Sequence, residues 1–299
     1  MSFECKDPNS LSEKEFLQQY DPGAFERLSI TADAVIFSID TTIQTTNYRK
    51  LDDQKITVLL VKRKEHPYIG KWSLPGGFVG VSETLDDAVK RVIKDKTGLS
   101  GVYLEQLAAF GSPGRDPRMR VVSCTYLALL DRSKYLIKES SLVADSAWFD
   151  FSIGEKEITL ANSGEEIVIP FTKSEARNGK IIARHYSATD GGLAFDHGNI
   201  LLQAIIRLRE QAYDTDIVFN LLPCEFSVTQ LQQIYEIILG EKLLAPAFRR
   251  KIAPKIKETG RFSQEKGHRP SQFYIYKRGF DDERQGTEDS GGATDTESL

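Results

Sequence analysis

Two hydrophobic periods alternate along this chain. Residues 31–40 (TADAVIFSID), 55–63 (KITVLLVKR), 102–111 (VYLEQLAAFG) and 120–130 (RVVSCTYLALL) are short runs rich in β-branched and aromatic side chains, and they predict strands. The polar stretch TTIQTTNYRKLDDQ between the first two reads as a connection. Between the second and third, Leu85, Ala88, Val89, Val92 and Ile93 recur at helical spacing, and Gly98 supplies the stop. Residues 146–190 add strand signals, with turns at Asn162-Ser163-Gly164 and Asn178-Gly179. A helix follows with Asp196 as N-cap, and Ile200, Leu201, Ala204, Ile205 and Leu208 form the face expected to meet the sheet. Strands flanked by helices in this order predict an α/β sandwich over residues 29–212.

After Tyr213 the pattern changes. DIVFNLLP, SVTQLQQIYEIILG and APAFRRKIAPKI predict three short helices, and FYIYKRG a closing strand, over residues 213–280. Residues 1–28 read as a polar leader or arm. Residues 281–299 are acidic and nearly free of large apolar groups, the composition of a disordered tail.

A length of 299 residues suits about two domains. No apolar run approaches the roughly 20 residues of a membrane span, and the N-terminus lacks the apolar centre of a signal peptide. Cys5, Cys124 and Cys224 are odd in number and in no metal-ligand spacing, which fits reduced thiols in a cytoplasm. The net charge of −4 argues against nucleic acid only until it is divided. The last 19 residues carry seven acidic groups and one basic, whereas residues 216–280 hold eleven Lys/Arg against six Asp/Glu. The C-terminal globular part is therefore basic.

Gly77, Glu83, Arg91, Ile93, Gly98 and Leu99 stand in the register of a known signature, preceded by KWSLPGG. The segment resembles the Nudix box, which implies a Nudix fold. Box positions 92, 95 and 96 share one helical face. In active Nudix hydrolases these are glutamates holding magnesium, which neutralises a diphosphate and activates water. Here they are Val92, Asp95 and Lys96, so the local charge falls from −3 to zero. No catalytic residue, metal or cofactor is expected. Glu83 and Arg91 read as a structural ion pair and Asp95 as a solvated helix residue.

Downstream, FGSPGRDPRMRVVSCTYLAL places Arg115, Arg118 and Arg120 in a Gly/Pro-rich loop entering a strand. Arginine forks match phosphate oxygens, although a surface loop paired with acids such as Asp116 fits the residues equally. Together with FERLSITADAVIF, YIGKWSLPGGFV, ADSAWF and LAFDHGNIL, the segment is similar to Nudix-related transcriptional regulators of the NrtR type, over roughly residues 22–278. The resemblance implies an α+β protein, a Nudix α/β/α sandwich with mixed sheet followed by a small winged helix-turn-helix. It implies a pocket for a small effector, ADP-ribose or a sugar derivative, near Arg115, Arg118, Arg120, Gly76, Gly77, Asp196 and His197. A purely structural helix-start role for His197 is the alternative.

The same resemblance makes the C-terminal part a DNA-binding winged helix. Its reader would be Pro246–Lys251, anchored by Phe248 and Ile252 and projecting Arg249, Arg250 and Lys251. RFSQEKGHRPSQFYIY has the form of a wing, with Lys266 and Arg269 at its tip. Where the family has Asn before Phe-Arg-Arg, this chain has Ala247. A homodimer on double-stranded operator DNA is expected. The competing readings are an active hydrolase of ADP-ribose or a related nucleoside diphosphate derivative, and an interaction module without DNA.

Overall fold

A computed structural model describes residues 12–42, 53–138, 140–178, 181–189, 191–263 and 270–277. The wing-tip residues Lys266 and Arg269, and the acidic tail, lie outside the described residues.

The leader contains a helix that composition alone did not suggest, α1 (Glu13–Gln19), begun by a capping box between Ser12 and Glu15. The strands are β1 (Ser29–Thr42), β2 (Asp53–Lys62), β3 (Trp72–Ser73), β4 (Gly76–Phe78), β5 (Tyr103–Phe110), β6 (Val121–Leu129), β7 (Asp145–Ile153), β8 (Glu157–Ala161), β9 (Glu166–Asn178) and β10 (Ile181–Ala188). Helix α2 (Leu85–Thr97) falls between β4 and β5, and α3 (His197–Asp214) follows β10. The sheet order is β10-β9-β8-β7-β2-β1-β6-β5, with β3 beside β2 and β4 beside β1. Strands β1 and β6 pair in parallel. The described neighbours of β1 other than β6 run antiparallel to it, so the sheet is mixed.

Strand β1 shows why the sequence reads as nearly continuous apolar. Ala32, Ala34 and Ile36 meet the apolar face of α2 (Ala88, Val89, Ile93), whereas Val35, Phe37 and Ile39 meet α3 (Ile200, Leu201, Ala204, Ile205, Leu208). A strand covered on both faces needs no polar alternation. Helix α2 starts on a Thr84 cap and ends at Gly98, whose φ of 75° is a left-handed C-cap.

The C-terminal part comprises β11 (Phe226–Ser227), α4 (Val228–Leu239), α5 (Ala245–Ile252), β12 (Ile256–Phe262) and β13 (Gln272–Tyr276), with a sheet ordered β11-β13-β12. The first of the three expected helices is a single 3-10 turn, Ile217–Leu221. Pro223 follows at once, and a residue preceding proline is steered out of helical geometry. Helix α4 carries its own capping box, Ser227 with Gln230. Its apolar residues Leu231, Ile234, Tyr235 and Ile238 belong to the same buried cluster as Phe37 and Ile205. The winged helix thus shares one continuous core with the sandwich. Among the described residues no helix is long and apolar enough to cross a membrane.

Candidate functional site

Strand β1 carries one carboxylate into the sandwich, Asp33, only 5% exposed. It accepts hydrogen bonds from the hydroxyls of Thr31 (3.2 Å) and Ser123. Its register partner on β4 is Gly76. A Cβ at Gly76 would lie 1.5 Å from Asp33 Oδ1, so no other residue fits opposite this carboxylate. Gly77 next to it faces the Val92 side chain of α2, 3.0 Å from where its own Cβ would be.

Around Asp33 the fold gathers residues distant in sequence. Arg115 donates to Asp196 through Nε (3.0 Å) and Nη2 (2.7 Å), and the same Nη2 lies 4.0 Å from Asp33. The Arg115 side chain is 4% exposed. Asp196 occupies the N-cap position of α3 but makes no capping bond, because its carboxylate is engaged by Arg115. His197 Nδ1 accepts the Leu74 backbone N–H at 2.9 Å, which leaves the proton of a neutral ring on Nε2. Burial pushes its pKa down to about 4, opposed in part by Asp33 and Asp196. Arg118 forms a second fork on Asp116, at 3.0 and 2.7 Å, and lies over the Phe78 ring. Its hydrogen bond holds the Asp116 carboxyl below its ordinary range, against the opposing effect of burial. Arg120 stands apart, its guanidinium 3.4 Å from the carbonyls of Ser112 and Val121.

Two cations that the motifs did not single out as pocket residues complete the cluster. Arg63, at the end of β2, donates to the carbonyls of Pro67 (2.6 Å) and Glu65 (3.3 Å) and lies 4.8 Å from the Phe195 ring centre. Lys96, on α2, donates to the Gly76 carbonyl. Burial lowers its pKa, while Asp33 raises it. A run of KRK beside an aromatic loop was the available signal for Arg63; only the helical face of the box pointed to Lys96.

The box residues divide cleanly. Glu83 and Arg91 form a two-point ion pair at 2.6 and 2.9 Å, and Arg91 also donates to the Phe78 carbonyl. With Gly80 N–H donating as well, the Glu83 carboxyl is held at about 2. Asp95 is exposed, Val92 is buried, and Lys96 fills the third position with an ammonium. One apolar side chain and one cation on the face where oxygen ligands are required do not fit a magnesium site. Among the described residues no group of three potential ligands could hold a metal ion.

At the far end of α3 lies the second candidate surface. Phe248 and Ile252 of α5 are buried, and Phe248 meets Tyr235 edge-on at 5.2 Å. Arg249 and Arg250 are exposed. Lys251 beside them is also exposed, with its ammonium 4.1 Å from the Tyr213 ring centre at the end of α3. Helix α3 also holds the winged helix directly: Arg209 Nε donates to the Ile238 carbonyl at 2.7 Å, and the Tyr213 hydroxyl to Glu241 at 2.9 Å.

The chain is thus a Nudix-fold domain joined to a winged helix. Family models agree: residues 48–168 match the NUDIX domain and residues 218–276 the NrtR DNA-binding winged helix domain. The chain is 31% identical over 272 residues, 90% of each protein, to the ADPR responsive transcriptional repressor NtrR of Acinetobacter baylyi. It belongs to the NrtR family of Nudix-related regulators. Among solved structures it is similar to a MutT/nudix family protein from Enterococcus faecalis (TM-score 0.67, 27% identity, 89% of this chain and 94% of that one). It is also similar to Shewanella oneidensis NrtR complexed with a 27mer DNA (TM-score 0.57, 27% identity, 83% and 93%).

Proposed function

We propose that this protein is a DNA-binding transcriptional repressor whose Nudix domain senses ADP-ribose, and that it has no hydrolase activity. The observation that carries this reading is helix α3. Its first residues, with Asp196 before them, belong to the buried Arg115–Asp33–His197 cluster, and its last turns meet α4 through Arg209, the loop after α4 through the Tyr213 hydroxyl, and α5 through Lys251 over the Tyr213 ring. Helix α3 is therefore the element through which a ligand at Asp196 would act on α5.

Effector recognition falls to the cationic wall of Arg63, Lys96, Arg115 and Arg118, with Gly76 and Gly77 allowing close approach and Arg120 at the loop's exit. DNA contact falls to Arg249 and Arg250, with Lys251 and the wing residues Lys266 and Arg269 beside them. The functional division follows residues 1–28, 29–212, 213–280 and 281–299, although packing is continuous across 212 and 213. A cytoplasmic homodimer reading two half-sites fits a winged-helix regulator. The absence of hydrolysis is supported by Val92 and Lys96 at two of the three metal-ligand positions.

The effector and DNA must change each other's affinity by the same factor. Titration of the protein with the DNA upstream of its own gene, with and without ADP-ribose and with AMP followed, tests all three parts. Specific binding weakened by ADP-ribose without AMP release is expected. AMP release under turnover sinks the non-catalytic reading, and unchanged DNA affinity at saturating ADP-ribose sinks that effector.

A further inference from the structure

Lys96 sits where a Nudix enzyme would place a metal ligand, and its geometry gives it a use. The ammonium is half-buried and donates to the Gly76 carbonyl, directly across β4 from the Asp33 carboxylate. A lysine carries three N–H donors, and Gly76 takes one. Burial and the positive charges of Arg63 and Arg91 oppose the charged form of Lys96, whereas the Asp33 carboxylate favours it. Arg63 contributes a guanidinium whose hydrogen bonds go to backbone carbonyls. The neighbouring arginines are differently placed, since Arg115 and Arg118 are each forked onto an aspartate. The cluster around Asp33 therefore holds two cations with no carboxylate at hydrogen-bond distance among the described residues, one of them at a metal-ligand position of the box.

We propose that Lys96, assisted by Arg63, is a tethered replacement for the divalent cation, so that a diphosphate-bearing effector binds without metal. This rests on the sensor reading above and adds the source of the counter-charge. A hydrated magnesium ion neutralises two charges but has to be recruited at a concentration-dependent cost. An ammonium fixed to α2 is always present and is already partly desolvated. It also closes the octahedral site to oxygen ligands, so that the feature that makes binding metal-free also removes the means to activate water.

Calorimetric titration of the full chain with ADP-ribose, in EDTA and in magnesium, tests this. Wild-type affinity is expected to be the same in both. Lys96→Gln is expected to weaken binding about tenfold or more in both, the scale of one charge-assisted hydrogen bond. Lys96→Glu is expected to bind measurably only with magnesium. A wild-type protein that needs magnesium, or a folded Lys96→Gln protein that binds as wild type, overturns the proposal. The wild-type arm decides the matter even where a variant fails to fold. If wild type does not bind ADP-ribose at all, the effector reading falls separately. Inorganic pyrophosphate in EDTA then decides the lysine: equal affinity for wild type and Lys96→Gln overturns its role.

Discussion

Arg115 and Arg249 look alike in the sequence, each in a basic stretch that suggests phosphate recognition, yet the fold treats them in opposite ways. Arg115 is buried and forked onto Asp196, with Asp33 behind it. Arg249 and its neighbour Arg250 are exposed on a helix anchored from its other face by Phe248 and Ile252. The difference lies in what each residue must do for the fold. A buried guanidinium has to be paired before any ligand arrives, so it is first a structural element that fixes the start of α3. An exposed one costs the fold little and is free for a partner.

The contrast is broken most severely by Arg115→Ala. Leaving Asp196 and Asp33 without their cation is expected to cost about 3–5 kcal/mol, read as a lowered denaturant midpoint. A midpoint equal to wild type would mean that the buried pair does not hold the site.

Acid provides a second test at the same end of α3. His197 has a native pKa of about 4, below the unfolded value of roughly 6.5. The unfolded chain therefore binds the extra proton first. Stability is fully present above about pH 6.5 and falls as pH drops toward about 4, by about 3 kcal/mol at most. His197→Asn keeps an acceptor for the Leu74 N–H and removes the titration, so its melting curve should be flatter across that window. An unaltered slope would place the acid sensitivity elsewhere.

Arg249→Ala and Arg250→Ala sharpen the comparison from the other end. Each is expected to weaken operator binding by about 1–3 kcal/mol at fixed salt, with the melting temperature unchanged. Loss of stability comparable to that of Arg115→Ala would abolish the distinction. The smallest effect belongs to Arg118→Ala. Its side chain is 40% exposed, so breaking its fork on Asp116 should cost no more than about 1 kcal/mol of stability. A larger loss in the same unfolding assay would group it with Arg115.

Much of this architecture was legible because local and tertiary demands agree. The run Ala34–Phe37 reads as a strand and the spacing of Ala88, Val89 and Ile93 as one helical face, while the cover on both faces of the strand is seen only in the fold. Glycine at position 98 marked its own left-handed turn. The site was less legible because its partners are far apart: Arg115 and Asp196 are separated by 81 residues. Asp33 does not stand out inside an apolar strand, although a lone carboxylate among Ala, Val, Ile and Phe is itself a signal that something buried must answer it. Arg63 does not stand out because basic residues after a strand are ordinary. Lys251 is exposed like Arg249 and Arg250, and its ammonium also lies over the Tyr213 ring, a contact no local spacing announces. The apolar spacing of DIVFNLLP predicts a helix, and only the structure shows that Pro223 limits it to the 3-10 segment Ile217–Leu221.

Helix α3 has 18 residues and so spans about 27 Å. Treated as a rigid rod pivoting at Asp196, a tilt of roughly ten degrees sweeps its far end by about 5 Å, more than the ~3.4 Å between successive base pairs. Under the proposed sensor reading, a tilt of that size would carry Arg249 and Arg250 past one base-pair step.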